Sequence, residues 1–173
     1  MTTILSATNR LNSMTRRVTE KYAELMHERG FPIQVEFMED IPVNTTSDAI
    51  YRKGDNEMRI YGHRIFNSAD RFVIISPEYN GSIPGILKLM IDSCDPEIFK
   101  GKKFALVGVA SGRAGNLRGM DHLTDILHYL QAEVYSLKQP ISQVFKLLDD
   151  DKSLSDPATL QVLMKQVDGF QRF

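Results

Sequence analysis

Short apolar runs alternate along the chain with longer stretches in which apolar residues return every three or four positions. Thr3-Ile4-Leu5, Ile33 to Phe37, Arg71 to Ile75 and Lys103 to Ala110 read as strands, with a short fifth near Glu133-Val134-Tyr135. The core of the third, Phe72-Val73-Ile74-Ile75, has no polar alternation and marks a strand buried on both faces. Met14, Val18, Tyr22, Leu25 and Met26 fall at helical spacing and are stopped by Gly30 and Pro32. Asp55 to Ala69 carries Met58, Tyr61, Ile65 and Phe66 on one side, and Leu117, Met120, Leu123, Ile126, Leu127 and Leu130 make a later helix amphipathic. A closing helix capped by Asp156-Pro157 is expected to bury Leu160, Leu163, Val167 and Phe170. Ser82 is read as the cap of a helix beginning Ile83-Pro84, whose Ile83, Ile86, Leu87, Met90 and Ile91 face is broad enough to meet more than its own sheet. Met38 to Gly54 is irregular and longer than most connections, as loops that cover sites often are.

Alternating strands and helices predict an α/β fold with a parallel sheet covered on both faces. Ligands of such sheets bind at the carboxyl ends of the strands, where this chain places its polar, glycine-bearing loops. Ser76-Pro77-Glu78-Tyr79-Asn80-Gly81-Ser82-Ile83-Pro84-Gly85 follows the third strand and offers an aromatic face, an amide, a carboxylate and backbone N–H groups freed by Gly81. Ser6, Thr8, Arg10, Ser13, Met14 and Thr15 lie between the first strand and its helix, where unpaired N–H groups favour a phosphate monoester and Arg10 adds a charge-assisted bond. The competing reading of that loop alone makes Ser13 an N-cap and Arg10 a solvated side chain. Ser111-Gly112-Arg113-Ala114-Gly115-Asn116 follows the fourth strand.

The unbroken Pro77 to Gly85 segment, with Ile86-Leu87-Lys88 and Ile91-Asp92 behind it, resembles the signature of the NAD(P)H-dependent FMN reductases, a flavodoxin-like family. Ser6-Ala7-Thr8-Asn9-Arg10-Leu11-Asn12-Ser13-Met14-Thr15 is similar to the family's phosphate loop. It departs at Thr8, where serine is usual, and at Thr15, where asparagine is usual, while both positions keep hydroxyls. The resemblance implies a flavodoxin-like three-layer sandwich with a five-stranded parallel sheet in the order 2-1-3-4-5. That order makes strands one, three and four neighbours, so their three loops converge at the switch point. It further implies that Pro77, Glu78, Tyr79, Asn80 and Gly81 hold the FMN ring, and that Ser111, Gly112, Arg113 and Gly115 form a second flavin-side loop. Arg113 is open between the pyridine nucleotide phosphate and solvent, and Glu78 between flavin and solvent. Hydride would pass from NADPH or NADH to FMN and on to a flavin, quinone or similar small acceptor, with residues of the Met38 to Gly54 loop shaping the exposed ring face. A homodimer or homotetramer is implied. The rival reading is a flavodoxin-like FMN electron carrier that does not oxidise pyridine nucleotide, although carriers of that type are usually strongly acidic.

Composition narrows the alternatives. At 173 residues and 42% hydrophobic content the chain is expected to form one domain over 1–173. A formal net charge of -1 without a basic tract gives no footprint for nucleic acid. No apolar stretch approaches the ~20 residues that cross a bilayer, and Met1-Thr2-Thr3-Ile4 lacks a secretory n-region, so a cytoplasmic protein without membrane insertion is expected. Asn44-Thr45-Thr46 and Asn80-Gly81-Ser82 match a glycosylation pattern by chance in that setting. Cys94 is the single cysteine and reads as structural, because no histidine partner is evident. His27, His63, His122 and His128 lack metal-ligand spacing; His122 is the one nearest a polar loop. Ala110 breaks the G-x-G-x-x-G pattern offered by Gly108, and neither a Walker loop nor a G-x-S-x-G elbow is present. A flavin would account for the missing nucleophile, since it carries the chemistry itself.

Overall fold

The apolar run Phe72 to Ile75 lies at the centre of β3 (Arg71–Pro77), where every residue from Phe72 to Pro77 is buried. In the computed structural model, which describes residues 1–43 and 56–173, β3 is flanked by parallel neighbours: β1 (Thr2–Ser6) on one side and β4 (Lys103–Val109) on the other. β2 (Ile33–Phe37) pairs with β1, and β5 (Glu133–Val134) pairs with the first part of β4. The order β2-β1-β3-β4-β5 is the one expected.

Successive side chains of a strand point to opposite faces, so the sheet divides the core in two. Leu5, Phe72, Ile74, Phe104 and Leu106 face α2 (Glu57–Phe66), α3 (Gly85–Ser93) and α4 (Leu117–Tyr129). Ile4, Val73, Ile75, Ala105 and Val107 face α1 (Met14–Glu28) and α5 (Pro157–Arg172). Each fully buried aliphatic or aromatic side chain of this kind contributes roughly 1.5–3 kcal/mol of transfer free energy, which is what holds three layers together. Asp156 caps α5 by accepting the Thr159 N–H, with Pro157 in the first turn, as the sequence indicates.

Three elements differ from expectation. A sixth strand, β6 (Gln139–Ile141), pairs with β4 beyond β5, Val107 with Gln139 through Val109 with Ile141. It is short and contains Pro140, which an edge strand tolerates because one side of its backbone needs no partner. The helix after β3 begins at Gly85, with Pro84 and not Ser82 at its cap. Ser82 is already committed to a backbone bridge with Tyr79 and therefore cannot start the helix. α2 is shorter than Asp55 to Ala69 and is capped by Asn56, which accepts the Arg59 N–H at 2.8 Å. Of the Met38 to Gly54 segment, Met38–Asp40 form one 3-10 turn, and residues 44–54 lie outside the described residues with Asp55 and the Asn44-Thr45-Thr46 pattern. Among the described residues no helix is long and apolar enough to cross a membrane.

One polar group sits deep in the α1–α5 side. Gln166 is buried among Leu163, Val167 and Phe170, accepts from Tyr22 Oη at 3.0 Å, and donates to Leu106 O at 2.9 Å and Leu137 O at 2.7 Å. Burial pushes the Tyr22 phenol well above its ordinary range, which keeps it a donor. Gln166→Leu strands the buried Tyr22 hydroxyl and Leu106 carbonyl together with the half-buried Leu137 carbonyl, and is expected to lower the unfolding free energy by about 3 kcal/mol, against about 1 kcal/mol for Tyr22→Phe. Urea denaturation measures both; a Gln166→Leu protein as stable as its parent would show that this amide is not the tie between α1, β4 and α5.

Candidate functional site

Because β1, β3 and β4 are adjacent and parallel, their carboxyl-end loops meet on one side of the sheet. A cleft opens between them. Its walls are Arg10, Asn12, Ser13, Met14 and Thr15 from the first loop, Pro77, Glu78 and Tyr79 from the second, and Val109, Ala110 and Ser111 from the third. Val144 and Phe145 close the far side.

The first loop leaves β1 through an Ala7 N–H that donates to Ile75 O at 2.9 Å. Ser13 is the N-cap of α1, its Oγ accepting the Arg16 N–H at 3.1 Å. That bond serves one of the four unpaired amides of the first turn and leaves Met14 and Thr15 N–H without intrahelical acceptors. The Ser13 hydroxyl still has its own hydrogen to give. The Arg10 side chain is exposed and has no ion-pair partner among the described residues. Ser6 and Thr8, by contrast, are buried and do not form the cleft wall.

The second loop is a tight turn. Asn80 and Gly81 both adopt left-handed backbone, with φ of 52° and 76°, and Tyr79 and Ser82 exchange N–H···O bonds of 2.9 and 3.0 Å across them. Asn-Gly is the pair such a turn requires. The amides of Tyr79 and Ser82 are thus spent within the turn, and Asn80 and Gly81 form no part of the cleft wall. A Cβ on Gly81 would lie 3.0 Å from Arg118 Nη2, so the turn is packed under that guanidinium. Ser82 Oγ lies 2.8 Å from His122 Nδ1, which gives that histidine a partner outside the cleft.

Glu78 joins the second loop to the third. Its Oε2 accepts the Asn116 N–H at 3.1 Å, and its Oε1 lies 3.8 Å from Arg118 Nη2. Asn116, left-handed at φ 64°, returns a bond from Nδ2 to Ser76 O at 2.9 Å. Its Oδ1 is buried with no partner among the described residues. The third loop folds back so closely that a Cβ on Gly108 would lie 2.2 Å from Gly115 O, and only glycine fits there. Ser111 reaches the cleft; Gly112, Arg113 and Gly115 do not. Arg113 is exposed at the surface, and its carbonyl accepts from Ser142 Oγ at 2.7 Å.

Of the sequence-selected residues, the structure brings together Arg10, Ser13, Met14, Thr15, Pro77, Glu78, Tyr79 and Ser111. Asn12, Val144, Phe145 and Arg118 were not selected. Val144 and Phe145 arrive because Val144 N–H donates to Ala110 O at 3.1 Å and Gln143 N–H to Gly112 O at 2.9 Å, hanging their turn from the β4 loop. Phe145 is 64% exposed at the cleft margin, a large apolar surface that nothing in the local pattern foretells. Arg118 follows the loop pattern directly and is marked only by its place in the first turn of α4. Cys94 lies outside this region, buried at the end of α3, where burial pushes its thiol up to about 12. A thiol so placed is inert as a nucleophile at neutral pH.

The cleft therefore has a cationic, amide-rich end at the start of α1 and a mostly apolar remainder formed by Pro77, Tyr79, Val109, Val144 and Phe145. The sequence model of the NADPH-dependent FMN reductases matches residues 2–145. The chain is 34% identical over 110 residues to an NAD(P)H-dependent FMN reductase of Pseudomonas aeruginosa, an alignment covering 60% of this chain and 58% of the relative. It is 33% identical over 110 residues to a quinone reductase of Escherichia coli, covering 61% and 58%. It thus spans little more than half the length of these curated relatives. In fold it resembles FerB, a flavoenzyme NAD(P)H:(acceptor) oxidoreductase of Paracoccus denitrificans, with a TM-score of 0.77, 22% identity, and coverage of 98% of this chain and 93% of the other.

Glu78→Ala removes the acceptor that ties Asn116 to the second loop and is expected to lower the unfolding free energy by about 1–2 kcal/mol. Glu78→Gln, whose amide oxygen still accepts that N–H, should lose less than half as much. Equal losses in chemical denaturation would contradict the role given to the Asn116 bond.

Proposed function

The chain belongs to the NADPH-dependent FMN reductase family, and from that premise we propose that it binds FMN in this cleft and oxidises NADPH or NADH, delivering the electrons to free flavin, a quinone or a similar small acceptor. The observation that carries this reading is the convergence in one cleft of an exposed Arg10, which has no ion-pair partner among the described residues, and the open α1 amides with an apolar, aromatic wall. A phosphate monoester needs hydrogen-bond donors and positive charge together, which Arg10, the Ser13 hydroxyl, Thr15 and the Met14 and Thr15 amides provide. A flat ring needs apolar walls with a few polar contacts, which Pro77, Tyr79, Val144, Phe145 and Ser111 provide. The donor set fits FMN at both ends.

When bound, FMN supplies the chemistry of accepting and returning a hydride equivalent. The chain's own work is to hold and orient. Arg10 and the α1 terminus fix one end of the ligand, and the Glu78–Asn116 tie holds the Pro77–Tyr79 and Ser111 walls at constant separation. Val109 and Val144 keep water from the inner wall. Arg113 and Arg118, exposed beyond the cleft, are the guanidinium groups available to the phosphates of the pyridine nucleotide. The names of the relatives, FMN reductase and quinone reductase, support an acceptor of that class. Association as a homodimer or homotetramer is supported by a groove between α3 and α4 lined by Ile91, Ile126, Leu130 and the 87% exposed Tyr129. A cytoplasmic setting accords with its use of pyridine nucleotide.

Purified protein is expected to be yellow or to become so with added FMN, and to bleach under NADPH without oxygen. Protein that binds no FMN would refute the reading; protein that binds FMN but is inert to NADPH and NADH is an electron carrier. Arg10→Ala should weaken FMN by roughly tenfold or more, in line with a hydrogen bond to a charged group, and riboflavin far less. Equal weakening of the two, measured by fluorescence titration, would remove Arg10 from the phosphate end.

A further inference from the structure

Asn80-Gly81 is the single Asn-Gly pair in the chain. The two residues form the tip of the second loop, both in left-handed backbone at φ 52° and 76°. Asn80 is exposed, so water reaches its side-chain amide. Among the described residues the Gly81 N–H donates to no acceptor, because the bonds across the turn belong to Tyr79 and Ser82. Asn67 is also exposed, but the amide that follows it, Ser68 N–H, is committed to Ile65 O at 3.1 Å. Asn116 is buried, and the Leu117 N–H after it donates to Ala114 O at 3.2 Å. Asn12 is exposed, yet Ser13 after it carries a side chain. The backbone nitrogen that follows an asparagine is a nucleophile for that residue's own side chain, and glycine, with no Cβ, leaves the approach open.

We propose that Asn80 is a modification site, at which the folded protein converts asparagine to isoaspartate and aspartate without an enzyme, and that the turn is the lock that sets the pace. The Gly81 nitrogen gives its proton to water and bonds to Asn80 Cγ. The Cγ–Nδ2 bond breaks, the amino group takes up a proton and leaves as ammonia, and a cyclic succinimide remains. Water then opens the ring, at Cγ to give aspartate or at the main-chain carbonyl carbon to give isoaspartate. Nothing is oxidised or reduced. Ring closure requires Asn80 to leave the left-handed conformation, so the Tyr79–Ser82 bonds must open first. Isoaspartate routes the main chain through Cβ and Cγ and so lengthens it, and a two-residue turn has no slack for the addition. The loss falls on the loop whose Pro77, Glu78 and Tyr79 form one wall of the cleft.

The test incubates the full chain in mildly alkaline buffer, folded and in urea, and follows peptide maps for the mass gain of an amide turned acid and for isoaspartate by its enzymatic methylation. Folded protein should convert at Asn80 ahead of Asn12 and Asn67, and about tenfold or more slowly than the unfolded chain, since opening breaks the hydrogen bonds of the turn. Asn80→Gly keeps left-handed backbone without a side-chain amide and should remove most of the mass gain of the intact chain. The isoaspartate fraction, separated by its added charge, should unfold at a lower urea concentration than its parent. Folded protein that shows no conversion at Asn80 over a time in which the unfolded chain converts fully would overturn the proposal, as would Asn12 or Asn67 converting as fast. Equal rates in the folded and unfolded chain would overturn the lock, and an isoaspartate fraction as stable as its parent would overturn the loss of the turn. That fraction should also bind FMN about fivefold or more weakly, an arm that rests on the functional reading given above, and equal affinity would overturn the effect on the cleft. Unmodified protein that binds no FMN overturns that reading alone; the mass and urea readouts then decide the proposal.

Discussion

β3 and β4 pair in register over their whole length, from Arg71 with Lys103 to Pro77 with Val109, while β1 stops at Ser6, opposite Ile75. That offset decides the shape of everything at the carboxyl end of the sheet. The first loop turns away two residues below the end of β3, so the start of α1 faces the side of the second loop and not its tip. The third loop leaves level with the second and folds back over Gly108, where the carbonyl of Gly115 occupies the place of a side chain. A slip of one residue in either ladder would turn Phe72 and Ile74 to the α1 face and separate the loops at once, which is why the buried run on β3 fixes the site as well as the core.

The loops are held by bonds that the protein makes to itself. Glu78, Asn116 and Ser76 form a closed set; Tyr79 and Ser82 spend their amides on one another; Thr8 is spent on Tyr79. What remains uncommitted in the cleft among the described residues is therefore informative. Arg10, the first amides of α1, the Ser13 hydroxyl and Ser111 are donors, and a site whose free groups are donors is built for an electron-rich ligand. The buried Asn116 Oδ1 is an exception to this satisfaction, and it sits where the helix start is forced into left-handed backbone against Gly119. No partner among the described residues accounts for it.

Strands β1 to β4 were legible because apolar runs of their length have few other destinations, and the helices because their spacing is regular. The resemblance at Pro77 to Gly85 pointed to a loop that the structure sets against the cleft, yet the bonds within that loop were not readable. Glu78 is open between flavin and solvent in the sequence; in the structure it lines the cleft and also ties its loop to Asn116, a residue 38 positions away. Ser82 has the chemistry of a helix cap but is claimed by the Asn-Gly turn. Phe145 and β6 escaped because their placement comes from hydrogen bonds to the backbone of β4 and of the loop that follows it, and such tertiary bonds leave no local pattern. Gln166 escaped for the opposite reason: its neighbours follow the helical pattern so well that a polar residue among them reads as a surface position.

The interrupted strand beside β4 has a consequence for the protein in company. β5 and β6 cover that edge as two pieces of two and three residues, separated by residues 135–138, and Pro140 removes one donor from the second. The opposite edge, β2, carries Gln34 and Glu36. Burial alone would raise the Glu36 carboxyl, but bonds from Arg64 and Gln34 hold it below the usual range, so it stays charged. Among the described residues neither border offers a long, flat, uncharged row of amides and carbonyls on which another chain could add a strand. A protein crowded with copies of itself, or caught half-folded with its sheet exposed, is thereby steered away from fibrillar stacking.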